Sequence, residues 1–307
     1  MSGNLLLAIE IGGTKLQLVT GSQPDEPLDV TSLDVDSQQG AKGIRAQLES
    51  AILELRKRFD WVAAGIGYGG PVDTHTGTVS RSFQIGGWSG FPLKDWLTGL
   101  VEVPVVVEND TNAAAVGEAL YGSGKGYDPV FYTNSGSGVG GGLVARGQIY
   151  HGAVPGEAEF GHLRLDRSGK IVEDVCSGWA VNRRVRESAV SHPDSLLASL
   201  LPRETGGEAQ WLGEALAGGD QLADQILAET SSTLAFALSH VVHLFHPEVI
   251  VLGGGLAQIG EPWRLAIADQ LPEHLMDGMV SGSEIRLSSL GELVVPTGVL
   301  HLASELF

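Results

Sequence analysis

A single cysteine, Cys176, stands in a chain of 307 residues. One thiol excludes an intramolecular disulfide and a cysteine-rich metal cage, and it suits a reducing cytoplasm. Basic residues are scarce too: 19 Lys and Arg face 37 Asp and Glu, for a net charge of −18. The densest basic group, Arg183, Arg184 and Arg186, falls at helix-like positions and forms no run. Nucleic acid and anionic membrane surfaces are therefore not expected partners. No apolar stretch approaches the ~20 residues that span a bilayer, and no basic-then-apolar leader opens the chain. A cytoplasmic protein is expected. The chain is 43% hydrophobic, enough for one large core or two ordinary ones, and two lobes are expected.

Glycine is abundant and concentrated in turns. Ile9-Glu10-Ile11-Gly12-Gly13-Thr14-Lys15 and Ser135-Gly136-Ser137-Gly138-Val139-Gly140-Gly141-Gly142 each lie between short apolar runs. Each reads as strand, tight turn, strand. Glycine there lets backbone N–H groups approach an anion, so the two turns suit phosphate. Gly136, Gly138 and Gly141 match the dinucleotide spacing, but Leu143-Val144-Ala145 continues as strand where that fold needs a helix. A Walker A loop is absent as well.

The opening hairpin runs through Val19, a polar connection extends to about Gln39, and a helix spans about 41–58 with Ile44, Leu48, Ile52 and Leu55 on one face. Val62–Tyr68 and Val103–Val107 read as buried strands, the first leading into Gly69-Gly70 and the second into Glu108-Asn109-Asp110. Polar groups at the carboxyl ends of such strands are where open α/β sheets bind ligands. A helix follows Asn112, another runs from Ser177-Gly178 to about Val190, and a long one covers about Gln221–Phe245 before Pro247. His240, His243 and His246 fan across its end; without acidic or thiol partners in sequence they suit a helix terminus better than a metal. Val249–Leu252 leads into a third cluster, Gly253-Gly254-Gly255. Residues 1–112 are expected to form the first lobe and 113–295 the second, with a terminal helix over 296–307 returning to the first.

These landmarks resemble the ROK family of sugar kinases and repressors, within the actin-like ATPase superfamily. The likeness rests on Glu10–Lys15, Glu108-Asn109-Asp110, the 136–142 turn, Gly156-Glu157-Ala158-Glu159-Phe160-Gly161-His162, Glu173 before Cys176-Ser177-Gly178, and Pro247–Gly255. It implies an α/β protein of two ribonuclease-H-like lobes, with ATP and a sugar in the cleft between them. The activity implied is ATP-dependent phosphorylation of a hexose, foremost at the 6-hydroxyl of glucose. N-acylhexosamine kinase, fructokinase and a non-catalytic sugar binder or regulator are the alternatives.

By the same resemblance, Asp110 is the catalytic base that accepts the sugar proton. From position alone it could equally cap the helix that follows. Gly70, Asn109, Glu159, His162 and Glu173 join Asp110 around the sugar. Gly12, Gly13, Thr14, Lys15, Ser135, Gly136, Ser137, Gly138, Gly254 and Gly255 hold ATP. Glu10, where most relatives have Asp, faces magnesium directly or through water; the alternative is a buried acid paired with Lys15 or another cation. Trp88 lies in the sugar-shaping loop, although Phe83-Gln84-Ile85 replaces the asparagine of many relatives. Relatives are often dimers, so a homodimer is expected. Family repressors carry a DNA-binding domain ahead of the first turn; nine residues precede Glu10 here, which with the acidic charge argues against that role.

Many relatives bind a structural zinc through the histidine at position 162 and three cysteines in the stretch that follows. Leu163–Val172 contains no cysteine, so that site cannot form. Packing by Phe160 and a short loop are expected to replace it. Elemental analysis of the purified protein should find zinc well below one per chain; stoichiometric zinc would overturn this reading.

Overall fold

The computed structural model describes residues 4–35, 39–82, 85–154, 158–279 and 282–307. Two compact units divide the chain. The first comprises Met1–Lys125, Gly147–Ala158 and Glu292–Phe307, and the second Gly126–Arg146 and Glu159–Gly291.

Near-continuous apolar residues, buried on both faces, make β1 (Leu5–Ile11) a central strand. β2 (Lys15–Gln23) folds back antiparallel, with Ile11 opposite Leu16. The connection expected to be polar throughout holds a third strand, β3 (Glu26–Asp34), antiparallel to β2. It escaped notice because it is an edge: Leu28 and Val30 are exposed, and ladder hydrogen bonds hold it in place of burial. α1 (Gly40–Leu55) buries Ala41, Ile44, Leu48, Ile52 and Leu55 along one stripe. β4 (Trp61–Tyr68) runs parallel to β1, followed by a small hairpin of β5 (Val72–Asp73) and β6 (Thr78–Val79). After α2 (Leu93–Val101), β7 (Val105–Asn109) pairs parallel with β4 and passes into α3 (Asp110–Tyr121). The sheet order is β3-β2-β1-β4-β7.

In the second unit β8 (Val130–Ser135) and β9 (Val139–Ala145) form an antiparallel hairpin. The chain then revisits the first unit through β10 (Gln148–Ile149). α4 (Glu173–Cys176), α5 (Gly178–Ser191), α6 (Leu196–Leu200), α7 (Leu212–Ala217) and α8 (Gln221–Phe245) follow. β11 (Val249–Gly253) lies parallel to β8, and beyond α9 (Glu261–Gln270) β12 (Glu284–Leu287) lies parallel to β11. Within this unit the order is β9-β8-β11-β12. Both sheets thus set an antiparallel hairpin beside parallel strands, the arrangement of ribonuclease-H-like lobes. Leu234, Leu238 and Val242 of α8 join Phe131, Ile250 and Leu252 in one core.

Helix ends follow local chemistry. Ser177 and Asp220 accept the N–H groups of Ala180 and Ala223 as N-caps of α5 and α8. His246 ends α8 in the left-handed region, with φ 45°. The other two histidines turn elsewhere: His240 Nδ1 meets the Phe236 carbonyl at 3.0 Å, and His243 Nε2 accepts the Met276 N–H at 3.2 Å. Cys176 is buried, and burial pushes its thiol up to about 12. Among the described residues no helix is long and apolar enough to cross a membrane.

α10 (Val294–Ser304) completes the first unit. It packs on α3 so closely that a Cβ on Gly298 would stand 1.8 Å from the Ala113 carbonyl oxygen, and one on Gly117 2.7 Å from that of Val294. Alanine gains up to about 1 kcal/mol over glycine in a helix. Overpacking costs about 1–3 kcal/mol, and an overlap onto backbone cannot be relieved by a rotamer. Gly298→Ala should therefore lower the melting temperature by several degrees; an unchanged or higher value would show that the helices separate freely.

Candidate active site

In the first unit three turns meet at the carboxyl ends of β1, β4 and β7. The Gly69 N–H donates to the Ile11 carbonyl at 2.9 Å, and the Gly12 N–H to that of Lys15 at 3.0 Å. A Cβ on Gly69 would lie 3.2 Å from Ile11 O, 3.3 Å from Asp110 Oδ2 and 3.7 Å from Gly12 Cα. The Gly12-Gly13 turn, Gly69-Gly70 and Asp110 are thus brought together. A small pocket beside them is lined by Gly12, Gly13, Tyr68, Gly69, Ser82 and Trp88 among others. Trp88 is buried, edge-on to Tyr68 and Phe91 with centroids 5.6 and 5.4 Å away. Phe83 and Gln84 lie outside the described residues, as do Gly156 and Glu157.

α3 begins two residues earlier than the sequence pattern suggests, and its cap is Asn109. The Asn109 Oδ1 accepts the N–H groups of Thr111 at 2.9 Å and Asn112 at 3.0 Å. Asp110 is therefore not the N-cap. It occupies the first turn, where the helix dipole favours a carboxylate. Its Oδ1 accepts from the Thr111 N–H at 2.7 Å and the Thr111 hydroxyl at 3.2 Å. Asn109 Nδ2 donates to the Gly70 carbonyl at 3.2 Å, so both ends of its amide serve the turn.

Glu10 is half-buried at the end of β1. Burial first, and then the charge of Asp110, raise its carboxyl to about 7; Lys15 pulls it down and Glu292 adds to the rise. Lys15, the cation named in the alternative reading of Glu10, is paired elsewhere: its Nζ meets Glu292 Oε2 at 3.1 Å. Buried Gln17, with its amide nitrogen assigned by the surrounding acceptors, donates to Glu10 Oε2 at 3.3 Å and to the Glu292 carbonyl at 3.0 Å. Glu10 and Asp110 repel, and Lys15, itself engaged, offsets this only in part. Such an all-oxygen, doubly acidic pair fits magnesium, which takes oxygen ligands and keeps waters.

In the second unit the β8–β9 turn is closed by the Gly136 N–H donating to the Gly138 carbonyl at 2.9 Å, while the Gly178 N–H donates to Gly136 at 2.7 Å. Gly254 has φ +80°, and a Cβ there would stand 2.6 Å from the Ser135 backbone. Only glycine suits that position, so Gly254-Gly255 are brought against Ser135. Glu159, His162 and Glu173 share one neighbourhood. Although Glu159 is exposed as a residue, desolvation of its carboxyl raises it above the ordinary range; His162 lowers it and Glu173 raises it. Glu173 Oε2 accepts the Val139 N–H at 2.9 Å, beneath the glycine turn.

The ROK family model matches residues 6–305. The chain belongs to the ROK family. It is 29% identical to the glucokinase of Thermotoga maritima, covering 97% of this chain and 96% of that one. It is 28% identical to the glucokinase of Halalkalibacterium halodurans, covering 95% and 92%. The ROK glucokinase of Streptomyces griseus, solved with glucose and AMPPNP, superposes with a TM-score of 0.87 at 29% identity, covering 98% of this chain and all of that one. The actin-like ATPase fold expected of a ROK protein is thus present in both units.

Sequence reasoning passed over Gln17, Glu292, His151 and the part played by Glu108. Glu108 carried a signal, a charged residue closing the apolar run Val105-Val106-Val107. Gln17 stands opposite Glu10 in the β1–β2 register, a pairing that only the register of the hairpin discloses; Glu292 and His151 carried no signal, because their partners lie far along the chain.

The raised Glu10 has a consequence for stability. An ordinary unfolded carboxyl ionises near 4.5 and the folded one near 7, so the fold binds the proton more tightly. Stability from this group is present below pH 4.5 and is lost as pH rises through 7. Glu10→Gln should melt higher than the parent at pH 8, with the gap closing by pH 4.5. A gap independent of pH would overturn the assignment.

Proposed function

We propose that this ATP-dependent sugar kinase transfers the γ-phosphoryl group of ATP to the 6-hydroxyl of glucose. The observation that carries the reading is Asp110: a half-buried carboxylate at the start of α3, beside Glu10 and the Gly12-Gly13 turn, in a ROK chain. The glucose-bound S. griseus relative supports the choice of sugar.

A sugar hydroxyl is a weak nucleophile. Asp110 accepts its proton as the bond to phosphorus forms, and Thr111 holds one of its carboxylate oxygens in place. Asn109, Gly70, Glu159, His162 and Glu173 orient the hydroxyls, since several polar groups from different directions fix a small polyol. The turns at 12–13 and 136–138, closed by the Gly12 and Gly136 N–H groups, line the phosphates together with Thr14, Lys15, Ser135 and Ser137, and Gly254-Gly255 let the chain pass close to the nucleoside. Lys15 exchanges Glu292 for phosphate. Glu10 would hold magnesium, directly or through water, and the ion would supply charge neutralisation at the phosphates.

ADP release should be measured with magnesium-ATP against glucose, fructose, mannose and N-acetylhexosamines. Glucose should turn over fastest, and Asp110→Asn should lower kcat by about 10²–10⁴-fold, the usual worth of a positioned base. Faster turnover of an N-acetylhexosamine or fructose would move the specificity. Sugar binding without turnover would overturn the kinase reading in favour of a binder.

A further inference from the structure

Glu108 is a charged residue at 3% exposure, immediately ahead of the turn that carries Asn109 and Asp110. Burying a carboxylate costs several kcal/mol unless it is paired and hydrogen-bonded. Here both oxygens are engaged. Oε1 accepts the Asn109 N–H at 2.9 Å and the Asn112 side-chain amide at 3.1 Å, while Oε2 meets His151 Nε2 at 2.7 Å. A carboxylate can only accept, so Nε2 carries the proton in this contact.

Three of these groups lie within five consecutive residues, and the fourth arrives from 43 positions away. Asn112 is completely buried and belongs to the first turn of α3. Glu108 therefore grips that turn at Asn109 and Asn112, on either side of Asp110. The Asn109 cap binds the same turn through Thr111 and Asn112. His151 sits in the segment 147–158 that returns to the first unit, and among the described residues it is the donor to Glu108 that comes from outside the turn.

We infer that the Glu108–His151 pair is a positioning device for Asp110: His151 holds the Glu108 carboxylate in the orientation that fixes the first turn of α3. The inference rests on reading Asp110 as the base. Neither residue touches the reacting atoms. A base displaced by about 1 Å loses on the order of 10²-fold in rate, and comparable supporting contacts around metal ligands are worth about 10–100-fold. Replacing Glu108 with apolar residues would remove the cost of burial, so its retention here is explained by geometry more readily than by stability.

The test compares His151→Phe, which keeps a ring but no donor, with His151→Gln, whose amide can still donate to Glu108. His151 is partly exposed, with side-chain exposure of 38%, so both variants should fold, and melting temperatures check this. Amide hydrogen exchange at 109–112 should quicken in His151→Phe and return toward the parent rate in His151→Gln. Turnover on the best hexose should fall about 10–100-fold in His151→Phe with KM for ATP little changed, and His151→Gln should recover most of it. Unchanged exchange at 109–112 in His151→Phe overturns the inference, as does quickened exchange with unchanged kcat. Equal loss in both variants alongside a lowered melting temperature also overturns it, leaving a structural role only. Exchange needs no substrate: a parent enzyme inactive on every hexose would count against the proposed function, and the exchange result would still decide the tie.

Discussion

Backbone lying directly on backbone is the constraint on which the rest depends. In the first unit the Gly69 N–H reaches the Ile11 carbonyl, drawing the β4 turn against the β1 turn. In the second, Gly178 binds Gly136 and Gly254 lies on Ser135, so the β8–β9 turn is held from behind by main chain. Approaches this close leave no space for a side chain. They fix each turn by main-chain bonds, and an anion site gains from a frame that need not reorganise when charge develops.

Charge around the first unit's turns is partly opposed and partly paired. Glu10 and Asp110 repel each other, Lys15 is held by Glu292, and Glu108 is buried behind the turn with His151. Such an arrangement costs stability in the absence of ligands. The cost is intelligible where a cation and a polyphosphate are to be received, because strain at a site is tolerated when the surroundings fix it in place. The α3–α10 contact is one such support, since helices packed through Gly117 and Gly298 have little freedom to slide.

Much of the architecture was legible in the chain. Strands β1, β4 and β11 are unbroken apolar runs, α1 repeats apolar residues every three or four positions, and α8 starts at Asp220 and ends before Pro247. Turn chemistry and periodicity are local, so they survive in one dimension. The edge strand β3 was missed because edges carry mixed polarity. The helix start was displaced because Asn and Asp both suit a cap, and only the bonds from Asn109 to Thr111 and Asn112 choose between them.

The sequence by itself determined the family, the two glycine turns, the impossibility of a three-cysteine zinc site, and the candidacy of Asp110. Each follows from residue identity or short spacing. Only the tertiary structure decided that Glu173 supports the turn at Val139, that Lys15 is held by Glu292 while burial and Asp110 raise Glu10, and that Glu108 is gripped by His151. Those outcomes depend on which distant groups share a low-dielectric neighbourhood, and no local pattern encodes that.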